Sequence, residues 1–159
     1  MRAKVVFLLI VILLCTTGAG SAAINTADLT INGISLLKSN YADVIAKFGY
    51  SKKQIADTKY QPPVHHLIYS GIRIGVKDKE GPVVLLQIDA GRYQTSRGVK
   101  IGGTAYKVIK EYGQPDQQTI NGHRYFIYRS DSVPEQRLIF DMSEGYVTKI
   151  IMTSLEDIP

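Results

Sequence analysis

Three histidines, His65, His66 and His123, are the side chains best suited here to hold a metal ion or act as a general base. His65 and His66 are neighbours, so on a strand they point to opposite faces and do not converge on one ion. No carboxylate stands at ligand spacing from His123, and neither a His-Glu-x-x-His run nor an EF-hand loop occurs. Nucleophilic catalysis finds no Gly-x-Ser-x-Gly elbow, and Ser39, Ser51 and Ser143 sit among cap and turn residues. Gly102-Gly103-Thr104 offers backbone N–H groups to an anion, but it lacks the lysine and spacing of a phosphate loop and reads as a helix cap. Asp141 and Glu144 form a carboxylate pair beside a hairpin, where charged turn residues are routine. The expectation is a chain with no metal, no cofactor and no recognisable catalytic group.

Tyrosine and arginine supply different chemistry, that of a protein interface. The chain has ten tyrosines and no tryptophan. Strand alternation puts Tyr125 and Ile127 on one face and Phe126 and Tyr128 on the other. If Phe126 and Tyr128 pack under a helix, Tyr125 faces outward, joined by Arg137 and Ile139 from the next strand and by Tyr146. His66, Ile68 and Arg73 are the counterparts in the first half. A one-residue bulge would swap the faces. These seven residues are the candidate contacts for another envelope or secreted protein, bound without catalysis. The alternative is a small envelope enzyme or ligand carrier with its site between the halves. A deep polar pocket holding His65 or His66 with a carboxylate would favour that alternative.

The elements that must position these residues recur. Val44-Ile45, Phe48 and Gly49 return as Val108-Ile109, Tyr112 and Gly113. Thr104 can cap a helix whose Ala105, Val108, Ile109 and Tyr112 form one apolar stripe, with Gly113 as its stop and Pro115 preventing resumption. Tyr41, Val44, Ile45 and Phe48 form the same stripe between Ser39 and Gly49. A weakly signalled second helix covers residues 51–58, and Pro62-Pro63 break the chain before the first sheet. Strands follow at residues 66–69, 72–76 and 83–88, then at 123–129, 137–142 and 146–153. Asn121-Gly122 is a hairpin signal, pairing residues 117–120 with the strand beyond. The predicted fold is α+β: two tandem helix-plus-antiparallel-meander repeats, residues 24–91 and 92–159. Each has its helices packed on one face of the sheet and the other face comparatively open.

Residues 1–23 are set apart as a signal peptide. Arg2 and Lys4 precede ten apolar residues at 5–14, and Ser21-Ala22-Ala23 provides a small-residue exit. The apolar run is too short to span a bilayer. The predicted location is therefore periplasmic, cell-envelope or extracellular. Cys15 also ends the apolar run, and its lipidation would instead anchor the chain to a membrane, although Leu14 stands where a lipobox requires a small residue. Removal of residues 1–23 leaves 17 basic and 14 acidic residues and no cysteine. That excludes a thiol enzyme and a cysteine-ligated zinc site. A net charge of +3 with no block of like charges gives no nucleic-acid surface.

Ile101-Gly102-Gly103-Thr104, Val108, Tyr112-Gly113-Gln114-Pro115, Tyr128, Leu138-Ile139-Phe140 and residues 147–150 together resemble a known repeat. It is shared by the outer-membrane-assembly lipoprotein family BamE/SmpA and the tandem-repeat β-lactamase inhibitor proteins. The first half departs from it at Asn40, in place of threonine, and at Tyr50, in place of proline. The resemblance implies an exported or lipid-anchored protein with helices on an antiparallel sheet, acting by binding proteins.

Overall fold

Two eight-residue helices form where the caps and stripes place them, in a computed structural model that describes residues 23–158. The expected signal peptide and Cys15 lie outside those residues apart from Ala23. Helix α1 (Tyr41–Phe48) is opened by Asn40 rather than Ser39. The Asn40 side chain accepts from the Asp43 N–H at 3.1 Å, and the Asp43 carboxylate accepts from the Asn40 N–H at 2.9 Å. Ser39 is instead buried, accepting from the Ser35 N–H. Helix α2 (Ala105–Tyr112) is capped by Thr104, whose hydroxyl accepts from the Lys107 N–H.

Both helices stop at a glycine. Gly49 has φ 75° and ψ −175°, Gly113 φ 76° and ψ −166°, a region essentially closed to L side chains. The two carbonyls accept from the hydroxyls of Tyr69 and Tyr128, at 2.8 and 2.9 Å. A Cβ on Gly49 would meet nothing within 4 Å, so its replacement is a backbone effect alone. Gly49→Ala and Gly113→Ala should each lower stability by about 1–3 kcal/mol. Urea denaturation checks this, and an unchanged midpoint would contradict it.

The meander strands form one continuous sheet and not the two separate helix-plus-meander repeats expected from the sequence. A two-stranded hairpin, β1 (Thr30–Ile31) with β2 (Ile34–Ser35), precedes α1. The remaining strands are β3 (Lys53–Asp57), β4 (Val64–Tyr69), β5 (Ile72–Lys77), β6 (Val83–Ile88), β7 (Asp116–Ile120), β8 (His123–Arg129), β9 (Arg137–Ser143) and β10 (Tyr146–Thr153). They make one antiparallel sheet in the order β3-β4-β5-β6-β10-β9-β8-β7. The sheet dominates the fold and is continuous across its middle, where Ile88 pairs with Ile150 and Leu86 with Met152.

Composition explains the join. Every residue of β6 is buried, so β6 cannot serve as an edge and takes β10 as its second neighbour. The polar strands Lys-Gln-Ile-Ala-Asp and Asp-Gln-Gln-Thr-Ile, β3 and β7, take the exposed edges instead. Residues 51–58 therefore hold an edge strand rather than a second helix. Pro62-Pro63 lie in the loop between β3 and β4, not ahead of the sheet. The Asn121-Gly122 hairpin forms as expected, with both residues at positive φ.

One apolar cluster covers the helix side of the whole sheet. Val44, Val108 and Tyr112 from the helices meet Leu67, Ile74, Phe126, Tyr128, Phe140 and Ile150 from the strands. The N-terminal segment crosses to the far half, where Asp28 is buried against Arg97. The Arg97 guanidinium donates to both Asp28 oxygens, at 2.8 and 2.6 Å, and to the Glu111 carbonyl at 2.7 Å. Ser96 donates to the same carboxylate at 2.8 Å.

Candidate interaction face of the sheet

Strand alternation leaves a second face, opposite the helices, and most of the expected contact residues lie on it. Along one cross-strand row, Ile68, Arg73 and Gln87 continue into Ile151, Ile139 and Ile127. The adjacent row runs His66, Gly75, Leu85, Thr153, Arg137 and Arg129. Tyr125 follows, paired with Asp141 on β9. Strands β8 and β9 pair in unbroken register from Arg124 to Arg129, which keeps Phe126 and Tyr128 on the helix side and Tyr125 on this one. A bulge between Val147 and Lys149 is confined to β10. Tyr146, beside the β9–β10 turn, is 53% exposed.

This face is not open throughout, as the sequence led one to expect. Val64, Val84, Leu85, Ile127, Ile139 and Ile151 form a second buried apolar cluster with Leu155, and Tyr60, Tyr125 and Ile158 pack against it. Ile139 is fully buried and presents nothing to a partner. Arg137 is engaged too, donating to the carbonyls of Leu155, Glu156 and Asp157. Burial holds its pKa below the ordinary arginine value. Ile68, Arg73 and Tyr125 remain half-buried, with part of each side chain reaching solvent.

His66 is a buried polar group in the first half of this face. Its Nε2 lies 3.9 Å from Asp57 Oδ2, while Nδ1 is buried without a hydrogen-bond partner. Gly75, its cross-strand neighbour, keeps the strands packed closely here, since a Cβ there would stand 2.9 Å from Leu85 Cβ and 3.0 Å from Val64 Cγ1. Burial pushes the His66 pKa down, the Arg73 charge adds to this, and Asp57 opposes it. The imidazole is therefore neutral near pH 7. His65 points the other way, into a cleft of about 230 Å³ lined with Tyr41, Gln54, Lys79 and Glu80.

Strand pairing brings two carboxylates near a histidine, a proximity that spacing along the sequence does not show. Asp57 comes to His66 from β3, read as helix from sequence. Asp141 comes to His123 from β9, with Oδ2 3.3 Å from Nδ1. His123 also stacks on Tyr125, with 6.2 Å between ring centres. Burial raises the Tyr125 pKa, with the Asp141 charge adding to it. Among the described residues, no group of three or more His, Cys, Asp and Glu is placed to hold a metal ion.

No protein-family model matches the chain, and no curated protein matches it. Solved structures do resemble it. An extracellular protein containing an SCP domain from Bacillus anthracis is 12% identical with a TM-score of 0.50, over 74% of this chain and 44% of that one. This chain thus spans under half the length of that neighbour. A DUF4309-family protein from Bacillus subtilis is 16% identical with a TM-score of 0.52, over 76% of this chain and 82% of the other. Among the described residues, no helix is long and apolar enough to cross a membrane. At these identities the likeness is one of fold, shared with two Bacillus proteins, one of them extracellular.

Proposed function

We propose that this protein is an exported binding module, without catalytic activity of its own, that engages another envelope or secreted protein through the second face of its sheet. The observation that carries the reading is the row on which half-buried Ile68 and Arg73 lead into a buried apolar strip bordered by half-buried Tyr125. Tyrosine and arginine that reach solvent beside apolar side chains are the residue types that anchor protein interfaces. Export is supported by the sequence pattern at residues 1–23. Motif resemblance to the BamE/SmpA type of envelope protein points the same way.

The test is a photo-crosslinking amino acid placed singly at Tyr125, Ile68 and Tyr106 in the exported chain. Tyr106 lies on α2 and is 75% exposed, which makes it a control away from the face. Crosslinks to one partner from Tyr125 and Ile68, absent from Tyr106, are expected. Crosslinks only from Tyr106 would reject the face. The His66–Asp57 approach favours a second reading, a small-ligand or catalytic site. A turnover or ligand affinity abolished by His66→Ala would replace the binding-module reading.

A further inference from the structure

Residues 154–158 follow β10 and run back over the second face. Leu155, 9% exposed, sits in the apolar cluster, with Ile158 packed on its rim. The guanidinium of Arg137 reaches the three consecutive carbonyls of residues 155–157. Lys59 Nζ, on an exposed side chain, stands 3.4 Å from Asp157 Oδ2. The Ser154 N–H donates to the Val84 carbonyl and the Leu155 N–H to the Thr153 hydroxyl.

These anchors share a property. A guanidinium on main-chain carbonyls reads no side chain, so any extended segment presents the same acceptors. The one deep side-chain contact is a leucine in a slot of Val84, Leu85, Ile139 and Ile151, which another leucine or isoleucine would fill equally. The Lys59–Asp157 pair is exposed and adds little. The covered strip is continuous with Ile68, Arg73 and Tyr125, so a partner lying along the proposed face arrives at the tail. Resting on that reading, we infer that residues 155–158 are the built-in occupant of a peptide-binding slot. An extended partner segment, carrying leucine or isoleucine where Leu155 sits, displaces them.

The test uses the full chain with Leu155→Ser and Ile158→Ser, which removes the tail's apolar anchors and leaves the slot intact. The probe is a synthetic peptide of residues 153–158, followed by shifts of the Ile139 and Ile151 methyl signals. Tethering gives the native tail an effective concentration in the millimolar range, so free peptide competes poorly with it. The peptide should therefore bind the variant saturably, and at least tenfold more tightly than wild type. Binding should vanish when the peptide's leucine is serine and weaken about tenfold with Arg137→Gln. Absence of binding, or equal binding to both chains, would overturn the inference. Dimers of the variant chain would overturn the partner assignment in favour of a second copy.

Hydrogen exchange on the wild-type chain guards against a variant that fails to fold. The Leu155 amide should exchange at least a hundredfold faster than those of Ile150, Ile151 and Met152. Equal rates would mean that the tail opens only with the core, which also overturns displacement. Crosslinks from Tyr125 that persist while the peptide fails to bind would remove this inference alone. Peptide binding without crosslinks would instead remove the proposed partner and keep the slot.

Discussion

Arg97→Met should destabilise the protein by about 3–5 kcal/mol near pH 7, because it strands a charged carboxylate in the interior. Asp28 is 2% exposed, and its oxygens are taken up by Arg97, Ser96 and the Asn25 N–H. Burial alone would raise its pKa, but the hydrogen bonds from Arg97, Asn25 and Ser96 together outweigh it and hold the pKa below the ordinary value. The sign follows from that direction. In the wild type Asp28 binds its proton less readily folded than unfolded, so its stabilising contribution is full above the ordinary aspartate pKa. That contribution fades as the pH falls through the lower folded value. In Arg97→Met only the Asn25 and Ser96 hydrogen bonds are left to oppose burial, the folded pKa rises above its wild-type position, and acid relieves the buried charge. The gap between wild type and variant should therefore shrink below about pH 4. Adding Asp28→Leu should recover much of the loss at neutral pH. Guanidinium titrations at two pH values decide it, and a gap that widens in acid would refute this account.

Phe140→Ala should be comparably damaging, again about 3–5 kcal/mol. Phe140 is fully buried on a central strand, paired with Ile150 on one side and Phe126 on the other. Its ring lies 5.5 Å from that of Tyr112 and 6.1 Å from that of Tyr128. Removal would open a cavity under α2 that backbone fixed by two ladders cannot close. Tyr146→Ala, at an exposed ring, should stay within about 0.5 kcal/mol. Thermal unfolding of the two variants side by side is the measurement. Similar melting temperatures would mean that the helix-side cluster does not carry the stability assigned to it.

What could be read in advance followed local chemistry. Thr104, the apolar stripes and the glycine stops specify both helices within a few residues, so α1 and α2 appear as expected, although α1 opens at Asn40 and not at Ser39. Runs rich in Ile, Val, Tyr and Phe at 123–129 and 146–153 coincide with β8 and β10. Strand β3 was illegible because Lys-Gln-Ile-Ala-Asp has no apolar alternation, and its conformation comes from pairing with β4. The β6–β10 junction was also missed, although the unbroken Val83-Val84-Leu85-Leu86 run is a signal that the strand needs cover on both faces. At the candidate site, alternation gathered Tyr125, Arg137, Ile139, His66, Ile68 and Arg73 onto one face. Which of them reach solvent depended on the path of residues 154–158, and nothing in the alternation of the strands specifies that path.

The place of β10 in the sheet bears on how the chain reaches its native state. Among the described residues it is the last strand in chain order, yet it lies between β6 and β9 at the middle of the sheet. Synthesis begins at the N-terminus, so β3 to β6 emerge first and end in a strand apolar on both faces with its outer edge unpaired. That edge stays available to any passing strand until β10 has emerged, and an uncovered apolar edge is a template for aggregation. Closing it joins Ile88 to Ile150, a contact distant in sequence and therefore slow to form. The most vulnerable species is thus the chain that is complete in its first meander and still lacks the strand that pairs with β6.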